Sequence, residues 1–495
     1  MNACCSLKTL MRGRVTIPSV LDVWLHGLAS DSRRVRSGMA FVALPGGSTN
    51  LWDNVQDAIN RGASAVLLDA DSEAPPYEYQ EVVIVPVKAL HSCAADLADH
   101  FHGHPSATLS VIGVTGTNGK SSVTGFLGQI LNQCGLTTAT MGTLGYGLPG
   151  SMEQADHTTP DAVRVHELLA RFRGQGAHVV VMEVSSHALD QGRVDRVRFT
   201  GAVFTNLTPE HLDYHGSLAA YGASKARLFE DFELEFAVIN LDDDFGERLS
   251  RQLGTDVRLL RYGVGERAGE FSVREITRAH STTVARIDTP MGELEFTTGL
   301  VGTFNISNMT ASVAAAIAMG VAVADVLAAV PRVQGLPGRM ESFRRRDGCH
   351  VVIDYAHTED ALERGLSTLR PHTGGELWCV FGCGGNRDTA KRPAMGAVAE
   401  RLADRVILTD DNPRHEASRR IIDDILSGME NSARVRVIAD RREAIETALS
   451  NAGSNDLVLI AGKGHEWCQE RADKRLPFSD VELVRELLDQ KGGAA

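Results

Sequence analysis

Short apolar runs alternate with amphipathic stretches along the chain, and two turn-rich breaks divide this alternation into three blocks. Continuous apolar runs bounded by turn formers predict strands buried on both faces, as in parallel sheets. In the first block they fall at 40–44 and 65–68, with a helix expected over 55–61. In the second they fall at 111–114, 178–184, 201–204 and 237–240, and an alanine-rich run at 311–319 predicts a close-packed helix. In the third they fall at 351–354, 377–381, 405–409 and 457–460, alternating with amphipathic helices such as 481–488. The breaks are His102-Gly103-His104-Pro105-Ser106 and Gln334-Gly335-Leu336-Pro337-Gly338-Arg339. This pattern predicts an α/β chain of three domains. They are a small N-terminal mixed α/β domain at 1–104, a central doubly wound parallel sheet at 105–337 and a C-terminal Rossmann-like sheet at 338–495. A length of 495 residues suits about three domains.

The first strand of the central block carries the strongest chemical signal. Val111-Ile112-Gly113-Val114-Thr115-Gly116-Thr117-Asn118-Gly119-Lys120-Ser121-Ser122 runs from a β-branched strand through glycines into a helix with apolar positions at Val123, Phe126, Leu127, Ile130 and Leu131. Backbone N–H groups and the positive end of the helix dipole there face any bound anion. Lys120 is placed to reach the outer phosphates, and Ser121 to offer its hydroxyl to Mg²⁺. Five residues rather than the usual four separate Gly113 from Gly119, so the loop is a variant of the phosphate-binding motif. A purely structural glycine turn has no need of Gly-Lys-Ser at the helix start; nucleoside triphosphate binding is the expectation.

Charge narrows the partners. A formal net charge of −13 argues against a nucleic-acid surface, which needs clustered Lys and Arg. No apolar run approaches the length of a membrane span, and residues 1–20 lack the core of a secretory signal, so a cytoplasmic protein is expected. The eight cysteines form no Cys-x-x-Cys pair. Cys379 and Cys383 read as small buried residues rather than zinc ligands, and no structural metal is expected.

Other polar residues gather where the strands end. Glu183 closes the run Val179-Val180-Val181-Met182 and falls beside the phosphate loop, where a carboxylate can hold Mg²⁺; the alternative is a buried acid paired with an arginine. Ser185-Ser186-His187, the stretch 205–215 and Ser224-Lys225 are expected at the same edge, although each alone could be a solvated face. In the third block Asp354-Tyr355-Ala356-His357, the loop 382–388, Asp410-Asp411-Asn412-Pro413-Arg414 and Gly462-Lys463-Gly464-His465-Glu466 all follow strands and should line one crevice.

Taken in this order, Thr-Gly-Thr-Asn-Gly-Lys, Glu-Val-Ser-Ser-His, Asn-Leu-Thr-Pro-Glu-His-Leu-Asp-Tyr-His, Asp-Tyr-Ala-His, Asp-Asn-Pro-Arg and Gly-Lys-Gly-His-Glu resemble the Mur ligase family over almost the whole chain. The resemblance implies an ATP-dependent, ADP-forming ligase of peptidoglycan precursor synthesis. It would add meso-diaminopimelate to UDP-N-acetylmuramoyl-L-alanyl-D-glutamate through an acyl phosphate, as a monomer without nucleic-acid or membrane partners. The rivals are the lysine-adding ligase of the same family, folylpolyglutamate synthetase, which lacks this N-terminal domain, and a phosphate-loop module that makes no amide bond.

The resemblance also implies roles. ATP would meet Gly116, Thr117, Asn118, Gly119, Lys120, Ser121, Ser122, Asn305, Arg339, Asp354 and His357. Mg²⁺ would take Ser121, Glu183, His211 and Lys225, the last as a carbamate formed with CO₂; Lys120, Glu183, His211 and Lys225 form the catalytic set. The UDP substrate would contact Ser32, Gly47, Ser48 and Thr49 in the first domain and His157, Thr158, Thr159, Ser185, Gln191 and Arg193 in the second. The amino acid would meet Arg387, Asp411, Asn412, Pro413, Arg414, Gly462 and Glu466.

Overall fold

Three largely parallel sheets succeed one another in a computed structural model that describes residues 4–44, 50–70, 74–265, 267, 269–278, 283–300, 302–345, 348–431 and 435–490. The first joins Gly27–Ala29, Met39–Ala43, Ala65–Ala70 and Val82–Lys88 in parallel, with Tyr77–Tyr79 as an antiparallel edge. Side chains alternate between its faces: Ala40 and Val42 pack with the helix Leu90–Phe101, and Phe41 and Ala43 with the helix Leu51–Asn60. That second helix begins earlier than the apolar spacing predicts. The Asn50 side chain accepts the Trp52 N–H at 3.1 Å and caps it, a polar signal that lies outside the apolar repeat.

In the central sheet Ser110–Thr115 lies between Val179–Glu183 and Gly201–Phe204, with Thr138–Gly142 beyond one and Phe236–Asn240 and Arg258–Gly263 beyond the other. Ile112 and Val114 face a core shared with the helices Lys120–Gln133 and Thr303–Ala318, while Val111 faces the core under Ala162–Gly174. Burial on both faces is why these strands read as unbroken apolar runs. The alanine-rich helix starts at Thr303, eight residues before its predicted start, and so carries Asn305 and Asn308. Phe271–Arg278, Thr283–Thr289 and Gly292–Thr298 extend the sheet as a ribbon that the sequence reading did not predict.

The third sheet centres on Leu377–Phe381 and Leu457–Ala461, flanked in parallel by His350–Asp354 on one side and Arg405–Leu408 and Val435–Val437 on the other, with Glu341–Arg344 antiparallel at its edge. Cys379 and Cys383 are buried in its core. Among the described residues no helix is long and apolar enough to cross a membrane.

Candidate active site

The phosphate loop is braced from the neighbouring strand end. Gly116 has φ +144° and a Cβ there would lie 1.9 Å from Thr205 Oγ1; Gly119 has φ +87° and a Cβ would lie 2.6 Å from Asn308 Oδ1. The Thr205 hydroxyl donates to the Asn118 carbonyl at 2.6 Å, the Thr117 N–H to Asn206 O at 2.7 Å and the Asn118 N–H to Asn206 Oδ1 at 2.9 Å. Lys120 Nζ donates to the carbonyls of Gly116 and Thr117, both at 2.8 Å. Lys225, on the helix Leu218–Glu230, is 1% exposed; its Nζ also reaches Gly116 O at 2.8 Å and stands 4.3 Å from the Tyr221 ring centre. Burial lowers the pKa of both amines, and the charge of Lys120 pushes Lys225 down further.

Glu183 closes its strand beside this loop and pairs with hydroxyl and amide donors rather than an arginine. Its Oε2 accepts from Ser121 Oγ at 3.1 Å and Thr143 Oγ1 at 3.2 Å, and its Oε1 from the Thr143 N–H at 2.8 Å. A buried hydroxyl and carboxylate side by side are the hard oxygen donors Mg²⁺ prefers, so these two residues fit the ion. Among the described residues no group of three or more His, Cys, Asp or Glu side chains could hold a metal on its own. Mg²⁺ ordinarily completes its shell with water and substrate phosphate.

The polar runs at 185–187, 205–215 and 224–225 do meet. His187 packs its ring against His211, Tyr214 and His215, with centroids at 4.8, 4.2 and 5.3 Å, and burial with the neighbouring imidazoles lowers its pKa to about 4. His211 adopts φ +55°, and burial lowers its pKa as well. Beside it Glu210 reaches His357 Nε2 at 3.3 Å, across to the third sheet. Burial opposes its charge, but the hydrogen bond and charge of His357, with His211 and Lys120, hold its carboxyl well below the usual range.

The third sheet closes over the loop at other points. Asn118 Nδ2 donates to Asp360 Oδ2 at 3.0 Å. Arg339 stacks on Tyr355 at 4.5 Å and donates to Ser121 Oγ at 3.2 Å. Asp354 accepts the Met340 N–H at 2.8 Å, and burial raises its pKa. Asn305 is 4% exposed, one turn before Asn308 on the same helix.

On the other flank, Thr159 Oγ1 donates to Glu183 O at 2.8 Å and accepts the Ser185 N–H at 3.1 Å, while Thr158 and Thr143 share a hydroxyl contact of 3.1 Å. Arg193 holds Thr159 O at 3.0 Å and Gln191 Oε1 at 2.6 Å, and the His157 carbonyl accepts from Tyr146. Ser32 is buried and hydrogen-bonded to Asp57, in a loop tied to this flank by Ser30 Oγ donating to Asp161 Oδ1 at 2.6 Å. Gly47, Ser48 and Thr49 lie outside the described residues.

The segments that follow the four strand ends of the third sheet meet one another. The Gly462 N–H donates to Asp354 O at 3.1 Å, and the Gly385 N–H to Asn412 O at 2.9 Å. Asn412 donates to Glu466 Oε2 at 2.8 Å, and the fully buried Lys463 reaches both Glu466 Oε2 at 2.7 Å and Asn412 Oδ1 at 3.0 Å. Burial raises the Asp411 pKa. Arg414 Nε donates to Glu470 Oε2 at 2.8 Å and its Nη1 to Gly385 O at 3.0 Å, whereas Arg387 is exposed. Sequence reasoning passed over Thr143, Glu210, Asp360, Lys463 and Glu470. Glu210 lies inside the stretch 205–215 and Lys463 inside Gly462-Lys463-Gly464-His465-Glu466, so the motifs themselves carry their signal. Thr143 follows a strand, Thr138–Gly142, too poor in apolar residues to stand out.

Fold and site define a phosphate-loop α/β protein whose nucleotide end is closed by a second Rossmann-like sheet. Residues 25–102 match the Mur ligase family catalytic domain, 114–316 the Mur ligase middle domain and 338–464 the Mur ligase glutamate ligase domain. A Pseudomonas aeruginosa protein named UDP-N-acetylmuramoyl-L-alanyl-D-glutamate--2,6-diaminopimelate ligase is 45% identical over 469 residues, covering 94% of this chain and 96% of that protein. One of the same name from Chromobacterium violaceum is 46% identical over 477 residues, covering 95% and 96%. A solved structure of a protein of that name covers 99% of this chain and 100% of its own, with 33% identity and a TM-score of 0.67. The chain belongs to the Mur ligase family.

Proposed function

We propose that the protein joins meso-diaminopimelate to UDP-N-acetylmuramoyl-L-alanyl-D-glutamate at the expense of ATP. A carboxylate is a poor acyl donor at neutral pH. Moving the γ-phosphoryl group onto a carboxylate oxygen of the glutamyl residue breaks the γ-phosphorus–oxygen bond, releases ADP and makes an acyl phosphate. The amine of diaminopimelate then attacks the acyl carbon, the bond to phosphate breaks, and the amine loses its proton as the amide forms.

The observation that carries this reading is the convergence of Lys120, Lys225, Ser121 and Glu183 on one loop, beside the Thr158–Arg193 flank and under contacts from the third sheet. Phosphoryl transfer needs mainly positioning and charge stabilisation, which a braced loop and a buried ammonium provide. The residues that would hold Mg²⁺ are Ser121, Glu183, His211 and carbamylated Lys225, and the ion would neutralise charge on the transferring phosphoryl group. Asn305 would meet the adenine, and Arg339, Asp354 and His357 would close on the nucleotide. Residues 1–104 with the Thr158–Arg193 flank would hold the UDP substrate, 105–337 ATP, and 338–495 the amino acid.

ADP release distinguishes the alternatives. It should require both the UDP-muramoyl dipeptide and diaminopimelate for full rate. Equal release with a folate, or with neither acceptor, overturns the assignment.

A further inference from the structure

The two loops that carry Arg387 and Arg414 are tied together through one carboxylate. Glu416, two residues beyond Arg414, accepts Arg392 Nη1 on Oε1 at 2.8 Å and Arg392 Nη2 on Oε2 at 2.7 Å. The same Oε2 accepts the backbone N–H of Asn386, next to Arg387, at 3.1 Å. Arg392 is fully buried on the helix Lys391–Leu402, and its Nη2 and Nη1 also donate to Gly384 O at 3.1 Å and to Asp424 Oδ2 at 2.8 Å. The His415 N–H returns to Asn386 Oδ1 at 3.0 Å.

Both loops need such bracing. Asn386 has φ +53° and Arg414 φ +51°, left-handed conformations that side-chain-bearing residues hold only when their surroundings enforce them. A forked arginine–carboxylate pair fixes direction as well as distance, and here it anchors both loops to a helix.

We propose that Arg392 and Glu416 are positioning residues that set the separation and direction of Arg387 and Arg414, and thereby the preference for an amino acid with a carboxylate at each end. The proposal rests on the amino-acid pocket described under Proposed function. Neither residue of the pair touches the substrate; each acts through the loops it holds.

The test uses the full chain with Glu416→Gln, whose amide turns donors toward the guanidinium and breaks the fork. Three quantities are read: KM and kcat for diaminopimelate and for lysine, hydroxylamine-trapped acyl phosphate formed without amino acid, and the melting temperature. The expected result is a KM for diaminopimelate raised about 10- to 100-fold, the scale on which a displaced binding group acts. Hydroxamate yield and lysine use should stay at wild-type levels. An unchanged KM in folded protein overturns the proposal, as does a parallel loss of hydroxamate, which marks a general structural role. If Glu416→Gln does not fold, Arg392→Lys decides: an ammonium keeps the charge but cannot fork onto both Glu416 oxygens. It should raise the same KM, and no change there also overturns the proposal. Arg414→Ala separates the two readings. If it leaves diaminopimelate kinetics intact, the pocket itself is wrong; if it destroys them while Glu416→Gln does not, only the positioning role falls.

Discussion

Lys120 and Lys225 donate to the same acceptor: both side-chain nitrogens lie 2.8 Å from the carbonyl oxygen of Gly116. Two ammonium groups crowded on one buried carbonyl favour loss of a proton from one of them. Burial, then the charge of Lys120, brings Lys225 well below an ordinary lysine pKa of about 10.4. A neutral amine is the form that adds CO₂, and the resulting carbamate is an anionic oxygen ligand where a cation would repel Mg²⁺. Lys225→Ala should therefore be nearly inactive and partly restored by a short-chain carboxylate in the buffer. Failure of rescue counts against the carbamate, and wild-type activity in the variant ends the idea. Because the folded pKa is lowered, the reactive neutral form persists below the pH at which free lysine becomes protonated. Activity that depends on added CO₂ should accordingly persist at pH values where a free lysine is fully protonated.

Lys120→Ala and Glu183→Ala should each reduce phosphate release at least about 10²- to 10³-fold, the usual effect of removing a preorganised charge-stabilising group. Lys120 would act on phosphate charge, while Glu183 accepts from the Ser121 hydroxyl and the Thr143 N–H and so holds both in place. Circular dichroism and melting should remain close to wild type. Near-normal phosphate release by either variant would refute the ATP assignment.

His102 supplies a stability prediction at the junction of the first two sheets. It is 9% exposed, and burial, followed by the neighbouring His166 and Arg173 charges, lowers its pKa to about 4. The unfolded chain takes up this proton near pH 6.5 and the folded chain only near 4, so stability falls as pH drops through that window. A shift of this size corresponds to about 3 kcal/mol, spent before pH 4 is reached. Chemical denaturation of His102→Gln should show a flatter acid limb between pH 6.5 and 4. An unchanged slope would mean that His102 binds its proton equally in both states.

The strands around the loop were legible because burial on both faces leaves an unbroken apolar signature, as in Val179–Glu183 and Leu457–Ala461. The ribbon strands Phe271–Arg278, Thr283–Thr289 and Gly292–Thr298 lacked that signature. Arg274 pairs with Asp288, and Arg286 with Glu275 and Glu295, so one face is a charged ladder and the sequence reads as polar. Candidate site residues were legible as strand-end motifs, but their bracing was not. Nothing in the spacing connects Glu470 with Arg414 or Glu210 with His357, since those contacts arise only when separate strand ends or whole sheets come together.

On the proposed function, the choice of amino acid would turn on Arg414. Meso-diaminopimelate differs from L-lysine by a second carboxylate at the far end, and a planar guanidinium can grip it through two parallel hydrogen bonds that an ammonium cannot reproduce. The side chain is 23% exposed, with Nε on Glu470 Oε2 at 2.8 Å and Nη1 on Gly385 O at 3.0 Å. That leaves Nη2 and the second proton of Nη1 to receive a carboxylate, from a group already fixed in direction. Glu466 would face the distal ammonium beside Gly462, and Arg387 would take the carboxylate at the reacting end. A pocket built around such partners rejects an analogue lacking them by as much as about 10⁴ to 10⁵, because its own groups stay unpaired. If Arg414 served only as a surface ion pair with Glu470, its contribution would be about 0 to 1 kcal/mol and its loss would barely alter selectivity. Arg414→Ala should therefore cause a large fall in kcat/KM for diaminopimelate and little change for lysine. Equal use of the two amino acids by the unmutated enzyme would sink the assignment.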